Sequence, residues 1–283
     1  MKTNLFLFVI LLSVWSCSSP NHLTEAGLKG KVKKVTTTTY TAKERFGEIQ
    51  KVEKITSQDR DHILNMFPKS EIEYDKNGFM TKRTNFDEND EIISLSKCEY
   101  KEGVETSSVF YNSDGSLLYS EKYVYNDEQP IDLVYEGPFE IKTKDAKFED
   151  GKLMSVVMIE DSVEMLREQT YNEHNQVLET VFKGHDIVSK VENTWSEEGQ
   201  LLVRTSTYER EEMKNVNTLT YEYDQDGNVV KLTYEAKMDD TPTEKVEYTY
   251  DYQHYEGKGN WDKCLIYRNG EPYVIQEREI EYY

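Results

Sequence analysis

Residue pairs that favour tight turns recur along this 283-residue chain at nearly constant intervals, and no other feature restricts its fold as strongly. The second members of the first five pairs are 12, 13, 12 and 12 residues apart. The pairs are Asn77-Gly78, Asn89-Asp90, Glu102-Gly103, Asp114-Gly115 and Asn126-Asp127, followed less evenly by Asp150-Gly151, His174-Asn175, Lys183-Gly184, Glu198-Gly199, Asp226-Gly227 and Asn269-Gly270. Asn, Asp and Gly tolerate the positive φ angles of two-residue hairpin turns. The spacing therefore predicts consecutive antiparallel hairpins with strands of roughly 8–10 residues.

The segments between the turns alternate as β-strands do. Residues 122–125, 220–223 and 246–250 place aromatic side chains on one face and Glu, Lys or Thr on the other. Helical periodicity is confined to residues 58–67, which could form one short helix, and more weakly to residues 163–167. The predicted fold class is therefore all-β, a curved antiparallel sheet of consecutive β-hairpins with at most one or two short helices. We expect its Tyr-rich face to curl inward or pack on itself and its charged face to contact water.

An aromatic residue stands three or four positions before the Gly or Asn of many turns. Residues 74–78 (YDKNG) and 223–227 (YDQDG) show the pattern most clearly. In this arrangement the aromatic side chain ends a strand on the buried face, and the Asp or Asn caps backbone donors in the turn. The Gly then adopts the positive φ that the turn requires.

These motifs resemble the YD repeats of Rhs-type proteins, in which Tyr-Asp-x-x-Gly hairpins build a long coiling antiparallel sheet. The resemblance covers roughly residues 71–228, and residues 259–283 look like the ending of YD-repeat lipoproteins of unassigned function. Residues 117–121 (LLYSE) loosely resemble the MORN-like hairpin repeats that occur in immunity and antitoxin proteins. The resemblance implies an architecture and no particular activity.

The N-terminus has the parts of a signal peptide: Lys2, an apolar run at residues 5–12 and polar residues from position 18 onward. The run is too short to span a bilayer, which takes about 20 residues. Cys17 directly follows a small residue after this run, which resembles the lipobox of bacterial lipoproteins, where the Cys is acylated and becomes the mature N-terminus. We therefore expect a lipoprotein signal peptide at residues 1–16, a lipidated N-terminus and tether at 17–28, and a β-hairpin repeat domain at 29–283. An ordinary secretory signal with an incidental Cys is the alternative.

The expected location is the outer membrane, through the lipid anchor. Acidic residues directly after the Cys would resemble a surface-export signal of some Gram-negative lipoproteins, and residues 18–21 contain none. The periplasm-facing leaflet is therefore favoured, and surface exposure stays open. A transmembrane barrel is not expected, because Glu277, Glu279 and Glu281 alternate along one face of the last strand, where lipid does not accept three carboxylates.

The amino-acid composition restricts the classes of molecule that this protein could bind. The formal net charge of −20 argues against nucleic acid and anionic lipid surfaces, because both repel a polyanion. The expected partners are the membrane, through the N-terminal lipid, and a protein or glycan of the envelope. Cys98 and Cys264 either form one disulfide in an oxidising compartment or are two separate buried thiols. Without a CxxC pair or a Cys/His cluster, no metal site and no cofactor are expected.

The sequence contains no Gly-x-Ser-x-Gly, no Gly-rich phosphate loop and no His-Glu-x-x-His, so no catalytic residues are predicted. Among the 54 Asp and Glu residues, no pair stands out as a glycosidase site. Residues 224–228 resemble the start of a calcium loop but lack its closing bidentate Glu. Trp195 and Trp261 are candidates for stacking against a sugar, although packing within the sheet is the more common role of such aromatics.

Three functions are compatible with these features. The first is a lipid-anchored, non-catalytic cell-envelope protein that acts as a scaffold or binding module. The second is an immunity or antitoxin-like protein, whose negative charge would suit a basic partner. The third is a carbohydrate-active enzyme, which would need two converging carboxylates in a concave pocket.

Overall fold

The computed structural model describes residues 22–283 except positions 57, 59, 60, 62, 102, 103, 128, 139, 161, 212 and 240. The predicted signal peptide, Cys17 and the Glu102-Gly103 turn lie outside the described residues. Within the described part, a four-residue helix, α1 (His22–Glu25), precedes nineteen strands. The strands are β1 Val32–Arg45, β2 Glu48–Lys54, β3 Lys69–Tyr74, β4 Met80–Phe86, β5 Ile92–Lys101, β6 Val104–Tyr111, β7 Leu117–Asn126, β8 Gln129–Glu136, β9 Ile141–Glu149, β10 Lys152–Glu160, β11 Val163–Tyr171, β12 Val177–Lys183, β13 Ile187–Trp195, β14 Leu201–Arg210, β15 Met213–Tyr223, β16 Val229–Met238, β17 Glu244–Tyr255, β18 Trp261–Arg268 and β19 Glu271–Tyr282.

Antiparallel pairing joins the strands in chain order into a ring. From β3 to β8 and from β9 to β19, each strand pairs with the next. β8 and β9 lie side by side, where the Thr143 hydroxyl donates to the Leu133 carbonyl. The first strand closes the ring, because its residues 34–38 pair with β3 on one edge and with β19 on the other. The predicted all-β class and curved antiparallel sheet are confirmed, and the sheet is a nearly closed, barrel-like one.

Seven turns share one hydrogen-bond pattern, and at the six of them that were predicted it differs from the expected two-residue turn. The N–H of the first turn residue donates to the carbonyl of the fifth, and the N–H of the fourth donates to the carbonyl of the first. These turns span residues 75–79, 87–91, 112–116, 172–176, 196–200, 224–228 and 256–260. Asp75 explains the wider form, because its Oδ1 accepts from the N–H groups of Asn77 and Phe79, both at 2.9 Å. Gly78 supplies the positive φ, at 89°.

Two-residue turns do form at other pairs. Asp150-Gly151 and Asn269-Gly270 have positive φ at both positions, and their flanking strand residues pair directly. The residue directly after the aromatic is Asp or Asn in five of the seven wider turns, whereas Ser196 and Glu256 hold this position in the other two.

The aromatic residue that precedes several of these turns connects neighbouring hairpins. The hydroxyl of Tyr171 donates to the Leu153 carbonyl at 3.0 Å, and the hydroxyl of Tyr223 donates to the Leu201 carbonyl at 2.9 Å. Each acceptor is near the start of a strand that follows the preceding turn at the same end of the sheet. These bonds tie successive hairpins together, which explains why the aromatic recurs with the turn.

The two faces of the sheet remain distinct around the ring. On the outer face Lys190 pairs with Glu179 and Glu192, and Lys231 with Glu247. Such exposed pairs contribute little stability individually, but they keep the outer face in water. The inner face carries the Tyr-rich core, as predicted.

The core consists of three clusters. The first lies on β16–β19 together with residues of the segment between β2 and β3, the second on β8–β12, and the third where residues 23–28 meet β1 and β3. In the second, Arg167 on β11 contacts Glu121 on β7 at 2.8 Å. Four strand spacings of about 4.8 Å would separate these strands in a flat sheet. The sheet therefore folds sharply and packs on itself here.

The two predicted helices are absent from the described residues. Residues 163–167 belong to β11, where Arg167 and Met165 face inward, so the helical prediction was wrong. The described residues of 58–67 instead form a turn around Asp61, whose Oδ1 accepts from the Ile63 and Leu64 N–H groups. Asp61 Oδ2 accepts from the buried Tyr248 hydroxyl at 2.7 Å, which fixes this segment against β17. Of the helices in the described residues, none is long and apolar enough to cross a membrane.

Candidate functional site

Trp195 is engaged in the sheet. Its ring is partly buried, and its indole N–H donates to the Val177 carbonyl at 2.9 Å. This is the same link between hairpins that Tyr171 and Tyr223 make. A structural contact therefore accounts for Trp195, and its proposed stacking on a sugar stays a prediction.

Trp261 and Cys264 are brought together on the inner face of β18, beside β17 and β19. Trp261 is 5% exposed and packs against Tyr252, with 5.2 Å between ring centroids. Cys264 pairs with Tyr252 in the ladder between β17 and β18. The Arg278 guanidinium of β19 lies over the indole, with Cζ 3.4 Å from the ring centroid. Since Arg278 occupies the indole face, a sugar would have to displace it.

The two cysteines form no disulfide. Cys98 on β5 and Cys264 on β18 are both buried thiols, which is the second of the two alternatives that the sequence left open. Burial raises the pKa of the Cys264 thiol to about 12, so it is protonated and unreactive at neutral pH.

Arg278 is the unusual residue of this cluster. Among the described residues its guanidinium has no hydrogen-bond acceptor and no carboxylate partner, and its Nε is buried without a partner. Burial lowers the pKa of Arg278 to about 10, while the Tyr252 and Tyr74 hydroxyls and the Cys264 thiol act in the opposite direction. The group therefore stays cationic at neutral pH, held by its contact with the Trp261 ring.

The second inward-facing arginine, Arg167, is paired with a carboxylate, although its Nε, like that of Arg278, is buried without a hydrogen-bond partner among the described residues. Its Nη1 donates to Glu121 at 2.8 Å and to the Tyr135 hydroxyl at 2.9 Å. Burial acts to lower the pKa of Arg167, but the attraction of Glu121 and the neighbouring tyrosines raises it above its ordinary value. The pair is a structural feature of the self-packed part of the sheet.

The N-terminal segment, residues 22–31, covers the end of the ring next to Arg278. Asn260, directly before Trp261, accepts from the Lys29 N–H at 2.7 Å and donates to the Lys29 carbonyl at 2.8 Å. Leu23 and Leu28 are buried against Tyr74, whose hydroxyl also acts on Arg278. Arg278 therefore lies just inside the end that this segment covers.

Other polar groups have ordinary roles. The Oδ1 of Asp224 accepts from two N–H groups of its own turn, as the hairpin interpretation of residues 224–228 requires. Within the described ranges, no three His, Cys, Asp or Glu residues are placed to hold a metal ion. His254 and Asp262 form an exposed pair at 2.7 Å.

Sequence reasoning singled out Trp261 but missed Arg278. Arg278 shares a face with the inward residues Gln276 and Ile280, so a lone cation on the inner side of a strand was the available signal. Its contact with Trp261 depends on the pairing of β18 with β19, which no local pattern specifies.

Comparison with known proteins found only weak structural similarity. No family model and no curated protein matches it. A porin-like protein from Bacteroides uniformis ATCC 8492 is similar at a TM-score of 0.40 and 12% identity, over 88% of this chain and 96% of that one. A porin-like protein from Bacteroides vulgatus ATCC 8482 is similar at a TM-score of 0.31 and 11% identity, over 89% and 98%. Similarity this low transfers no function, so the interpretation depends on the residues described above.

Proposed function

We propose that this protein is a lipid-anchored, non-catalytic binding module of the bacterial cell envelope, held at the outer membrane through Cys17 and facing the periplasm. The observation that supports this most directly is the docking of residues 22–31. Lys29 and Asn260 exchange two hydrogen bonds, and Lys29 Nζ also pairs with Asp226 at 2.6 Å. A tether from Cys17 to His22 therefore leaves from one defined end of the ring.

The sheet itself suits a binding role better than catalysis. Its outer face is ion-paired, and most of its inner face is packed by the three core clusters. The repeated turn, with its Asp cap and its aromatic link to the next hairpin, also supports our proposal that the ring is a YD-repeat-like sheet.

Metabolic labelling tests the anchor. Radiolabelled palmitate should be incorporated into the wild-type protein and not into Cys17→Ala, whereas Cys98→Ala should label normally. Protease treatment of intact cells then distinguishes the leaflets, because a periplasm-facing protein is protected until the outer membrane is permeabilised. Failure of the wild type to label would remove the lipoprotein proposal.

A pull-down from envelope extracts at two salt concentrations tests the binding role. A binding module should retain a protein or glycan at both concentrations. One tightly held basic protein that is released steeply by salt would instead support the immunity-like alternative. Turnover of a glycan substrate would favour the enzyme.

A further inference from the structure

We infer that Arg278 is the anchoring residue of an internal site for a small oxyanion, a carboxylate or a phosphate group, just inside the end of the ring covered by residues 22–31. The inference deepens the proposed binding role and rests on it. It adds the chemical class of ligand and the residue that recognises it.

The first argument is the unused hydrogen-bonding capacity of Arg278. A guanidinium carries five N–H donors, and a buried charge is ordinarily paired. Two other arginines of the described chain have a carboxylate partner: Arg167 has Glu121, and Arg210 has Asp186. Arg278 has only the Trp261 ring, which binds the face of the guanidinium and leaves its N–H edges unfilled.

The second argument is that the surroundings offer no competing acceptor. The Tyr252 hydroxyl donates to the Val229 carbonyl at 2.7 Å, and the Cys264 thiol has only a weak contact at 3.7 Å with the Leu265 carbonyl. No carboxylate is among the groups that perturb Arg278.

The third argument is shape. Arginine binds carboxylate and phosphate in a bidentate manner, with two parallel N–H···O bonds along one edge. Because the Trp261 indole fixes the guanidinium plane, these edges are oriented before a ligand arrives. The covering segment is held at this end of the ring by the Lys29–Asn260 bonds.

Calorimetric titration of the full chain in detergent tests the inference. The probes are sodium acetate, inorganic phosphate and the short-chain lipid dihexanoyl phosphatidate, with acetamide as the neutral control and ionic strength held constant by chloride. We expect acetate or phosphate to bind, acetamide not to bind, and Arg278→Met to weaken binding at least tenfold. Arg278→Lys should weaken it less, since it retains the charge but loses the bidentate edge. Binding of the lipid and not of free phosphate would identify a headgroup as the source.

Arg268→Met is the matched control, because Arg268 also lies over an aromatic ring, Tyr273, at 5.6 Å but is exposed. Its affinity for the probes should stay within twofold of wild type. Thermal unfolding gives a second readout: the bound probe should raise the Tm of the wild type and leave the Tm of Arg278→Met unchanged.

Two results would overturn the site: no binding of any probe by the wild type, or equal binding by Arg278→Met. Palmitate labelling of the same preparations distinguishes a failure of the anion site from a failure of the proposed lipid anchor. Labelled protein without anion binding removes only the site, and anion binding without label removes only the anchor.

Discussion

The ring holds two inward-facing arginines in opposite situations. Arg167 on β11 is 3% exposed and donates to Glu121 and to the Tyr135 hydroxyl. Arg278 on β19 is partly buried, stacks on Trp261 and meets no acceptor among the described residues. One region balances its buried charge internally and the other does not. We interpret Arg167 as a structural residue and Arg278 as a ligand-binding residue.

The difference arises from how each region fills its interior. Around Arg167 the sheet folds on itself, so Glu121 of β7 reaches across to β11. Around Arg278 the interior is filled instead by described residues of two segments outside the repeat, 55–67 and 22–31. Among the described residues of these two segments no carboxylate pairs with Arg278, and Asp61 accepts from the Tyr248 hydroxyl instead. The following changes test this contrast, from the largest expected effect to the smallest.

Arg167→Met should lower the free energy of unfolding by about 3–5 kcal/mol, because it leaves Glu121 as an unpaired buried charge. Urea denaturation followed by circular dichroism measures the change. The double variant Arg167→Met/Glu121→Gln should recover much of the loss, since neither charge then remains. A loss below about 1 kcal/mol for the single variant would mean that the pair is open to water and is not structural.

Asp61→Ala should destabilise the protein by about 2–3 kcal/mol, because it removes the acceptor of Tyr248 and of two turn N–H groups. Tyr248→Phe is the matched control: it removes one of these three bonds and should cost about 1 kcal/mol. Equal losses for both variants would show that the capping of the Ile63 and Leu64 N–H groups contributes nothing. The measurement is again urea denaturation.

The fold was largely predictable because its information is local. Turn pairs such as Asn77-Gly78 and the alternation along residues 246–250 suffice to predict antiparallel hairpins. The wider turn at residues 75–79 could also have been predicted, because Asp75 occupies the position from which its carboxylate caps two N–H groups. The prediction of a helix at residues 163–167 failed because five residues cannot distinguish a helical period from a strand whose partners, β10 and β12, decide the outcome.

The candidate site was only partly predictable because its contacts are not local. Trp261 was predicted as a candidate binding residue from its residue type alone. The environment of Arg278 is set by Trp261 on the neighbouring strand and by Tyr74, which is more than 200 positions away in sequence. Ring closure by β1, which joins β19 to β3, brings these together, and no local pattern encodes it.

Asn260→Ala should release residues 22–31 from the end of the ring at a cost of about 1–2 kcal/mol, because three of its hydrogen bonds are lost, two to Lys29 and one to Tyr282. Hydrogen exchange should rise in residues 22–31 and not in β11. Ser116→Ala is the control, since Ser116 occupies the same turn position in residues 112–116 and its side chain bonds only to Asn112 and Asp114 of its own turn. Unchanged exchange in Asn260→Ala would show that apolar contacts of Leu23 and Leu28 hold the segment.

Arg278→Met should change the free energy of unfolding by no more than about 1 kcal/mol in the absence of an anion, in contrast to Arg167→Met. The substitution gives up a cation–π contact of about 1–2 kcal/mol. It also removes the desolvation cost of a partly buried cation, which is of similar size and leaves no partner charge behind. The two effects offset each other only if Arg278 lacks an acceptor in the folded state. A loss above about 2 kcal/mol in urea denaturation would place Arg278 with Arg167 as a structural residue, and the contrast between the two regions would no longer hold.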